Sequence, residues 1–320
     1  MKRTSIRLGT SAAGVAALAL ILSACGGADA GESGSGEGAG GTVAVDGSST
    51  VEPMSKAASE LLSEENADVR VTVAASGTGG GFEKFCVGES DISDASRPIK
   101  EDEEVPVCEE NGVEYTELQV ATDALTVVVH PDLAVDCLTT EQLVELWHPT
   151  SKVTNWNELD PSFPDQEIAL FGPGTDSGTY DYMAADVIGD ESETTRSDYE
   201  SSEDDNVLVQ GVSGTEGATG YFGFTYYEEN ADSLKALAID DGNGCVEPSV
   251  ETAQAGEYTP LARPLFIYVS NASYAEKPAV AEYVDFYIEN LEQIATAAKF
   301  IPLSEELYEE TKSALEGISS

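Results

Sequence analysis

Positive charge and histidine are both scarce in this chain. Its 320 residues include 15 lysines and arginines against 60 aspartates and glutamates, which gives a formal net charge of −45. Nucleic-acid binding depends on neutralising phosphates with Lys and Arg, so the composition argues against a nucleic-acid partner. It is typical of a soluble surface on an extracytoplasmic protein. An anionic ligand would have to be attracted by local dipoles, because the overall field repels it.

The same scarcity weighs against common enzyme classes. The two histidines, His130 and His148, each precede a proline outside any catalytic motif, and no Gly-x-Ser-x-Gly segment is present. A serine hydrolase would therefore lack its base. No glycine-rich segment carries the lysine of a nucleotide-binding P-loop. The cysteines form no Cys-x-x-Cys pair, and the acidic loops lack EF-hand spacing. We expect no catalytic residue, no cofactor and no metal.

Long apolar runs are absent except near the start. A basic beginning precedes an apolar run over residues 12–22 that is too short for an ordinary membrane span, and Leu-Ser-Ala-Cys25 completes a bacterial lipobox. We expect residues 1–24 to be a cleaved signal peptide. Cys25 would carry diacylglyceryl and palmitate chains that anchor the protein to the cell membrane, and ordinary secretion with a free Cys25 is the alternative. Residues 25–41 then form the lipidated cysteine and a flexible Gly/Ser-rich linker.

Three short turns rich in glycine and hydroxyl groups follow strand-like segments. The first turn covers residues 47–50, the second residues 76–81 and the third residues 176–179, and helical sequence follows each of them. Strand, Gly/Ser turn, helix and strand predict an α/β fold with a ligand at the carboxyl ends of the strands. A helix N-terminus with Ser or Thr at its cap favours an anion. Three such ends converging would hold a small tetrahedral oxyanion.

Chain length and the order of the segments predict two lobes. We expect the chain to leave the first lobe near Thr122 and to return near Arg263. Lobe I would then contain residues 42–122 and 263–320, and lobe II residues 123–262. Two hinge crossings would join the lobes and let a cleft close on a ligand. Apolar periodicity predicts a strand over residues 221–227 and one long helix within residues 277–299.

Four further cysteines are present: Cys86, Cys108, Cys137 and Cys245. An even number in an exported protein suggests two disulfides, for which three pairings are open. We favour Cys86–Cys108 and Cys137–Cys245, because each pair would then lie within one lobe.

The turns and their surroundings resemble the phosphate-binding lipoproteins of phosphate ABC importers, the PstS family, and in particular its SphX-like branch. The matching segments occur in family order from about residue 43 onward: Asp46-Gly-Ser-Ser-Thr-Val-Glu-Pro53, Ala75-Ser-Gly-Thr-Gly-Gly-Gly-Phe-Glu-Lys-Phe-Cys86, Asp91-Ile-Ser-Asp-Ala-Ser-Arg-Pro98, Gly172-Pro-Gly-Thr-Asp-Ser-Gly-Thr-Tyr180 and Ala218-Thr-Gly-Tyr-Phe-Gly223. The resemblance implies a two-lobed periplasmic-binding-protein fold of type II. It also implies that inorganic phosphate binds between the lobes and passes to the membrane permease of an ABC importer. We expect a monomer.

The resemblance also implies which groups donate to the phosphate. These residues are Ser48, Ser49, Thr50, Ser76, Gly77, Thr78, Ser177, Gly178 and Thr179. Better-known family members place an arginine shortly before the third turn, where this chain has Gly-Pro-Gly at residues 172–174. They place an aspartate where this chain has Arg97. We expect Arg97 to bind two phosphate oxygens through its planar fork, and a surface ion pair with Asp94 or Glu101 is the alternative.

Selectivity against sulfate requires a carboxylate near the ligand. Phosphate at neutral pH is largely HPO4²⁻ and carries a proton that sulfate lacks, so a buried acceptor would favour phosphate. Asp176 is the first candidate, with Asp46 and Asp94 as rivals and a helix cap as the alternative role of Asp176. We expect Asp176→Asn to weaken the preference for phosphate over sulfate.

Two other functions stay open on the sequence alone. A surface phosphohydrolase would use the same cradle, and turnover of a phosphate ester would reveal it. A receptor for another tetrahedral oxyanion, such as sulfate or arsenate, would share the fold.

Overall fold

A computed structural model describes residues 40–318, apart from residues 176, 190, 191 and 193. The expected signal peptide, Cys25 and almost all of the expected linker lie outside the described residues. The strands are β1 Gly41–Gly47, β2 Val69–Ala75, β3 Ile92–Ala95, β4 Tyr115–Val129, β5 Cys137–Thr139, β6 Ala169–Gly172, β7 Glu200–Ser201, β8 Ala218–Gly223, β9 Lys235–Ala236, β10 Ala238–Asp240, β11 Cys245–Val246 and β12 Ala262–Ser270.

Helices lie between most of these strands, and four consecutive helices follow β12. They are α1 Glu52–Glu65, α2 Gly77–Phe85, α3 Val105–Glu110, α4 Thr140–Trp147, α5 Trp156–Leu159, α6 Gly178–Asp181, α7 Asp205–Gly214, α8 Phe224–Glu229, α9 Val250–Gln254, α10 Asn271–Glu276, α11 Pro278–Glu289, α12 Leu291–Ala297 and α13 Glu305–Ile318. A π-helix, Tyr182–Ile188, follows α6 directly. Within the described residues, no helix combines the length and the apolar character that crossing a bilayer requires.

A long mixed sheet connects the two halves of the structure. Its strand order is β2-β1-β3-β12-β4-β8-β6-β7, with β9 also paired to β4, and β11, β10 and β5 form a second, small sheet. Strand β4 pairs with β12 through residues 115–124 and with β8 through residues 125–129. Strands β1, β2 and β3 are parallel, so their carboxyl ends lie at one edge. That edge carries the first and second turns.

Two large apolar cores divide the chain where β4 changes partner. The first core is built from residues 43–121 and 265–315 and includes the buried side chains of Met54 and Tyr283. The second is built from residues 125–261 and includes Trp147 and Trp156. Each core therefore belongs to one lobe of a two-lobed structure. The residue limits of the lobes stay a prediction.

Two of the secondary-structure predictions are wrong in detail. The strand predicted over residues 221–227 ends at Gly223, and α8 begins at Phe224. The single helix predicted within residues 277–299 is interrupted at Asn290, which separates α11 from α12. The Asn290 side chain donates to the backbone oxygen of Phe286, and such local hydrogen bonds compete with helix continuation.

The favoured disulfide pairing is confirmed. Cys86 at the end of α2 joins Cys108 in α3, and Cys137 in β5 joins Cys245 in β11. The first bond ties α2 to the segment after β3. Residues 77–81 of the predicted second turn are themselves helical and form the start of α2, so the helix begins earlier than the sequence predicted. The second bond lies in the small sheet.

Candidate ligand-binding cleft

The first turn depends on a glycine at the end of β1. Gly47 has φ +146°, and a Cβ atom there would lie 2.1 Å from the backbone oxygen of Asp94. With glycine in place, the Ser48 N–H donates to that oxygen at 2.8 Å. The Ser48 hydroxyl then accepts from the Thr50 N–H at 3.2 Å. The turn is thus fixed by β3 and by its own serine.

The second turn is oriented by a carboxylate on the neighbouring strand. Asp46 accepts from the Ser76 hydroxyl at 2.6 Å, from the Ser76 N–H at 3.2 Å and from Lys84. Burial would raise the pKa of Asp46, but the hydrogen bonds from Lys84 and Ser76 outweigh it and hold the pKa below its ordinary value. Thr78 accepts from the Ser96 N–H after β3. Asp46 is therefore an ionised group that positions Ser76.

The third turn lies against the first. Ser177 caps α6 by accepting from the Thr179 N–H at 3.2 Å. A Cβ atom on Gly178 would lie 2.9 Å from Thr50 Oγ1 and 3.2 Å from Thr50 Cα. Ser49 donates to Asp181 in the same region at 3.3 Å. Loops that are more than 120 residues apart in the sequence therefore meet at one place.

Serine or threonine caps were expected at all three helices, and this prediction is wrong for the first two. The N-cap of α1 is Val51, and Ser76 at the N-cap of α2 makes no capping hydrogen bond. The Ser48 and Ser76 hydroxyls are used by Thr50 and Asp46 instead. Ser177 alone among these hydroxyls caps as expected.

A cavity of about 190 Å³ lies beside the first and third turns. Its walls include Ser49 and Thr50 from the first turn, Gly178 and Thr179 from the third, and Asp123 from β4. A cavity of this size is large enough for a small inorganic ion. Hydroxyl and N–H groups in such a wall are the donors that an oxyanion accepts from.

Arg263 at the start of β12 contacts the first turn, although the sequence analysis did not assign it to the site. It donates to the Thr50 hydroxyl at 3.1 Å and to Asp186 in the π-helix at 2.7 Å. Its guanidinium carbon lies 3.6 Å from the centre of the Tyr182 ring. A signal was present, because this arginine stands at the predicted hinge crossing in a chain with few cations.

Asp123 is the carboxylate that accompanies Arg263. The two residues are paired across β4 and β12, and Arg263 Nε donates to Asp123 Oδ2 at 3.3 Å. Asp123 is 7% exposed. Burial raises the pKa of Asp123 above its ordinary value, while Arg263 acts in the opposite direction. The sequence analysis did not name this carboxylate as a candidate.

Comparison with known proteins agrees with this geometry. A family model of the PBP superfamily domain matches residues 32–290. The chain is 48% identical over 269 residues to protein SphX of Synechococcus elongatus, covering 83% of this chain and 79% of SphX. It is 39% identical over 312 residues to phosphate-binding protein PstS of Staphylococcus saprophyticus, covering 97% and 93% of the two chains.

The chain belongs to the PBP superfamily, in the family of SphX and PstS. A crystal structure of a possible phosphate binding protein from Planctomyces limnophilus is 45% identical to it, with a TM-score of 0.84 over 88% of this chain and 100% of that one. The expected family and the expected α/β, two-lobed type II fold are confirmed. Membership in this family of binding proteins agrees with the chemistry of the three turns.

Arg97 is not among the residues that line the cavity just described. Its two terminal nitrogens donate to Glu104 at 2.7 and 2.9 Å, and its guanidinium lies 5.6 Å from the Phe82 ring centre. The alternative ion pair was expected with Asp94 or Glu101, and the partner in the structure is Glu104. The expected contact of Arg97 with a ligand stays a prediction.

The rival carboxylates for the selectivity role differ sharply. Asp176 lies outside the described residues, so its role stays a prediction. Asp94 is fully buried and accepts from Ser55 of α1 at 2.8 Å, and burial raises its pKa to about 8. Asp46 is occupied by Ser76 and Lys84. Within the part of the chain that the structure describes, no group of three or more His, Cys, Asp or Glu side chains is arranged to hold a metal ion.

Proposed function

We propose that this protein is an extracytoplasmic substrate-binding lipoprotein that captures inorganic phosphate between its two lobes and delivers it to the permease of a phosphate ABC importer. The observation that carries the proposal is the contact between Thr50 of the first turn and Gly178 of the third. It supports a site in which hydroxyl and N–H groups of the first and third turns line one small cavity. The relatives named above, SphX and phosphate-binding protein PstS, support phosphate as the ligand.

Neutral donors suit an anion receptor whose own charge is −45. The proposed donors are residues 48–50, 76–78 and 177–179, and the lobes are residues 42–122 with 263–320 and residues 123–262. Hydrogen bonds from N–H and O–H groups stabilise the ligand locally without requiring a positive surface. Closure of the lobes removes water and strengthens each of these bonds.

The lipobox near the start of the sequence supports a membrane anchor for this protein. The lipobox that ends at Cys25 supports a lipid anchor in the cell membrane, with residues 26–41 as a tether that lets the protein reach the permease. We infer that it acts as a monomer without cofactor or nucleic acid. We also infer binding without turnover, because the residues named in the cleft include no histidine that could act as a base beside a serine hydroxyl.

Calorimetric titration tests this function. The mature chain with Cys25 replaced by Ser is titrated in turn with phosphate, sulfate and a phosphate ester. We expect saturable binding of phosphate, weaker binding of sulfate and no release of phosphate from the ester. Absence of phosphate binding, or turnover of the ester, would contradict the proposal.

A glycine variant tests the contact between Thr50 and Gly178 directly. In Gly178→Ala the added Cβ would meet the backbone of Thr50, whereas in Gly214→Ala the Cβ would meet nothing within 4 Å. Overpacking of about 1.4 kcal/mol or more would weaken phosphate binding about tenfold or more in Gly178→Ala. Gly214→Ala should bind like the wild type. Equal affinities in the two variants would show that the first and third turns do not enclose the ligand.

A further inference from the structure

The two strands that connect the lobes place one acid and one base side by side. Arg263 on β12 and Asp123 on β4 are directly paired in the antiparallel register. Directly opposite residues of an antiparallel pair project from the same face of the sheet, so their side chains interact. This pair stands where β4 changes partner from β12 to β8, between the two cores.

Arg263 connects this position to the proposed phosphate donors. One terminal nitrogen donates to the hydroxyl of Thr50 in the first turn, and the other donates to Asp186 of the second lobe. Its side chain is 11% exposed, so water screens its charge weakly. A guanidinium that already touches the first turn needs only a small rearrangement to donate to an oxyanion there.

Asp123 provides a hydrogen-bond acceptor at the cavity. Its carboxyl group lines the cavity together with four of the proposed phosphate-binding residues. Oδ2 accepts from Arg263, whereas Oδ1 has no hydrogen bond with any described residue. Because Asp123 lines the cavity, this oxygen is available to accept from the proton of a ligand bound there.

We propose that Arg263 and Asp123 together recognise a protonated tetrahedral oxyanion. Arg263 donates a hydrogen bond to one ligand oxygen, and Asp123 accepts one from the ligand's own O–H group. The inference rests on the proposed function and assigns its selectivity to the hinge strands. No covalent bond changes, and the proton stays in the hydrogen bond between ligand and carboxylate. Hydrogen phosphate and hydrogen arsenate satisfy this arrangement. Sulfate has no proton, so a sulfate oxygen and the Asp123 carboxylate would face each other as two hydrogen-bond acceptors without a donor between them.

Matched residues in the same protein serve as controls. Arg70 on β2 is an exposed arginine that neither lines the cavity nor belongs to the predicted phosphate donors. Asp205 at the start of α7 lines the same cavity without contacting Arg263. Arg263→Gln is therefore compared with Arg70→Gln, and Asp123→Asn with Asp205→Asn.

Each variant is titrated with phosphate and with sulfate at about pH 8, where phosphate is largely HPO4²⁻ and the pH is well above the ordinary pKa of an aspartate. We expect Asp123→Asn to lower the ratio of phosphate to sulfate affinity about tenfold or more, since Asn also donates to sulfate. Arg263→Gln should weaken phosphate binding about tenfold or more, by loss of a charge-assisted hydrogen bond. The two controls should change either quantity less than about threefold.

The outcomes separate this inference from the proposed function. A wild type that does not bind phosphate contradicts the function itself. A wild type that binds phosphate, with an unchanged ratio in Asp123→Asn, overturns only the inference. A fall in the ratio in Asp205→Asn or Asp176→Asn instead of Asp123→Asn would move the role to another carboxylate and would also overturn it.

A measurement on the wild type keeps the test open if a variant fails to fold. Sulfate affinity is followed from about pH 8 to about pH 4, a range in which an aspartate with a raised pKa gains its proton. Protonated Asp123 would donate to sulfate, so sulfate affinity should rise as the pH falls; a flat profile would overturn the inference. The other charged or titratable groups near this carboxyl are Arg263, Asp186, Tyr182, Asp205 and Lys299.

Discussion

Two arginine–carboxylate pairs in this protein use the same chemistry for different ends. Arg97 and Glu104 are seven residues apart, and their bidentate contact closes a local segment after β3. Arg263 and Asp123 are 140 residues apart and are brought together by strand pairing. The local pair stabilises the segment that contains it. The distant pair lies beside the first turn and also reaches the second lobe through Asp186, so it is the pair that a ligand in the cleft can affect.

The largest expected effect on phosphate affinity comes from a substitution that keeps the charge of the distant pair but changes its hydrogen-bonding geometry. Arg263→Lys keeps the positive charge but loses the planar fork that reaches Asp123, Asp186 and Thr50 together. Phosphate affinity should fall about tenfold, which corresponds to about 1.4 kcal/mol. Calorimetry measures the change, with Arg97→Lys as the matched variant. Equal losses of phosphate affinity in the two variants would contradict the view that only the distant pair takes part in binding.

The local pair should affect stability and leave binding alone. Glu104→Gln removes the charge that holds Arg97, and Glu104 also accepts from the Lys100 N–H. We expect the free energy of unfolding to fall by about 1 kcal/mol, or about 2–4 °C in Tm for a protein of this size. Thermal unfolding followed by circular dichroism checks this. A change of more than about tenfold in phosphate affinity would show that Arg97 contributes to the site after all.

The smallest effect concerns the contact between Arg263 and the second lobe. Asp186 is about half exposed, at 49%, so its ion pair with Arg263 is screened by water. Asp186→Asn should change phosphate affinity by about threefold or less, as an exposed ion pair contributes about 0–1 kcal/mol. Asp205→Asn is a suitable comparison in the same titration. A loss as large as that of Arg263→Lys would mean that Asp186, and not Asp123, is the essential partner.

Local patterns were sufficient for much of the fold. The order of strand, Gly/Ser turn and helix is visible at Gly47 and Ser76 because glycine allows unusual backbone angles and because apolar residues alternate in the preceding strands. The disulfide pairing followed from assigning each cysteine to a lobe. Predictions failed where a local competitor decided the outcome, as when the Asn290 side chain bonded to the backbone and divided a predicted helix.

The sequence by itself determined the α/β class, the family and the turns at Gly47 and Ser177, since each depends on residues close in the chain or on a motif read in order. It favoured one of three open cysteine pairings without deciding it, because Cys137 and Cys245 are 108 residues apart. Only the tertiary structure decided which charged groups face the cleft. Thr50 and Arg263 are 213 residues apart, and the pairing of β4 with β12 brings Asp123 beside them. Such neighbours depend on strand register and on the packing of two lobes, which local periodicity does not encode.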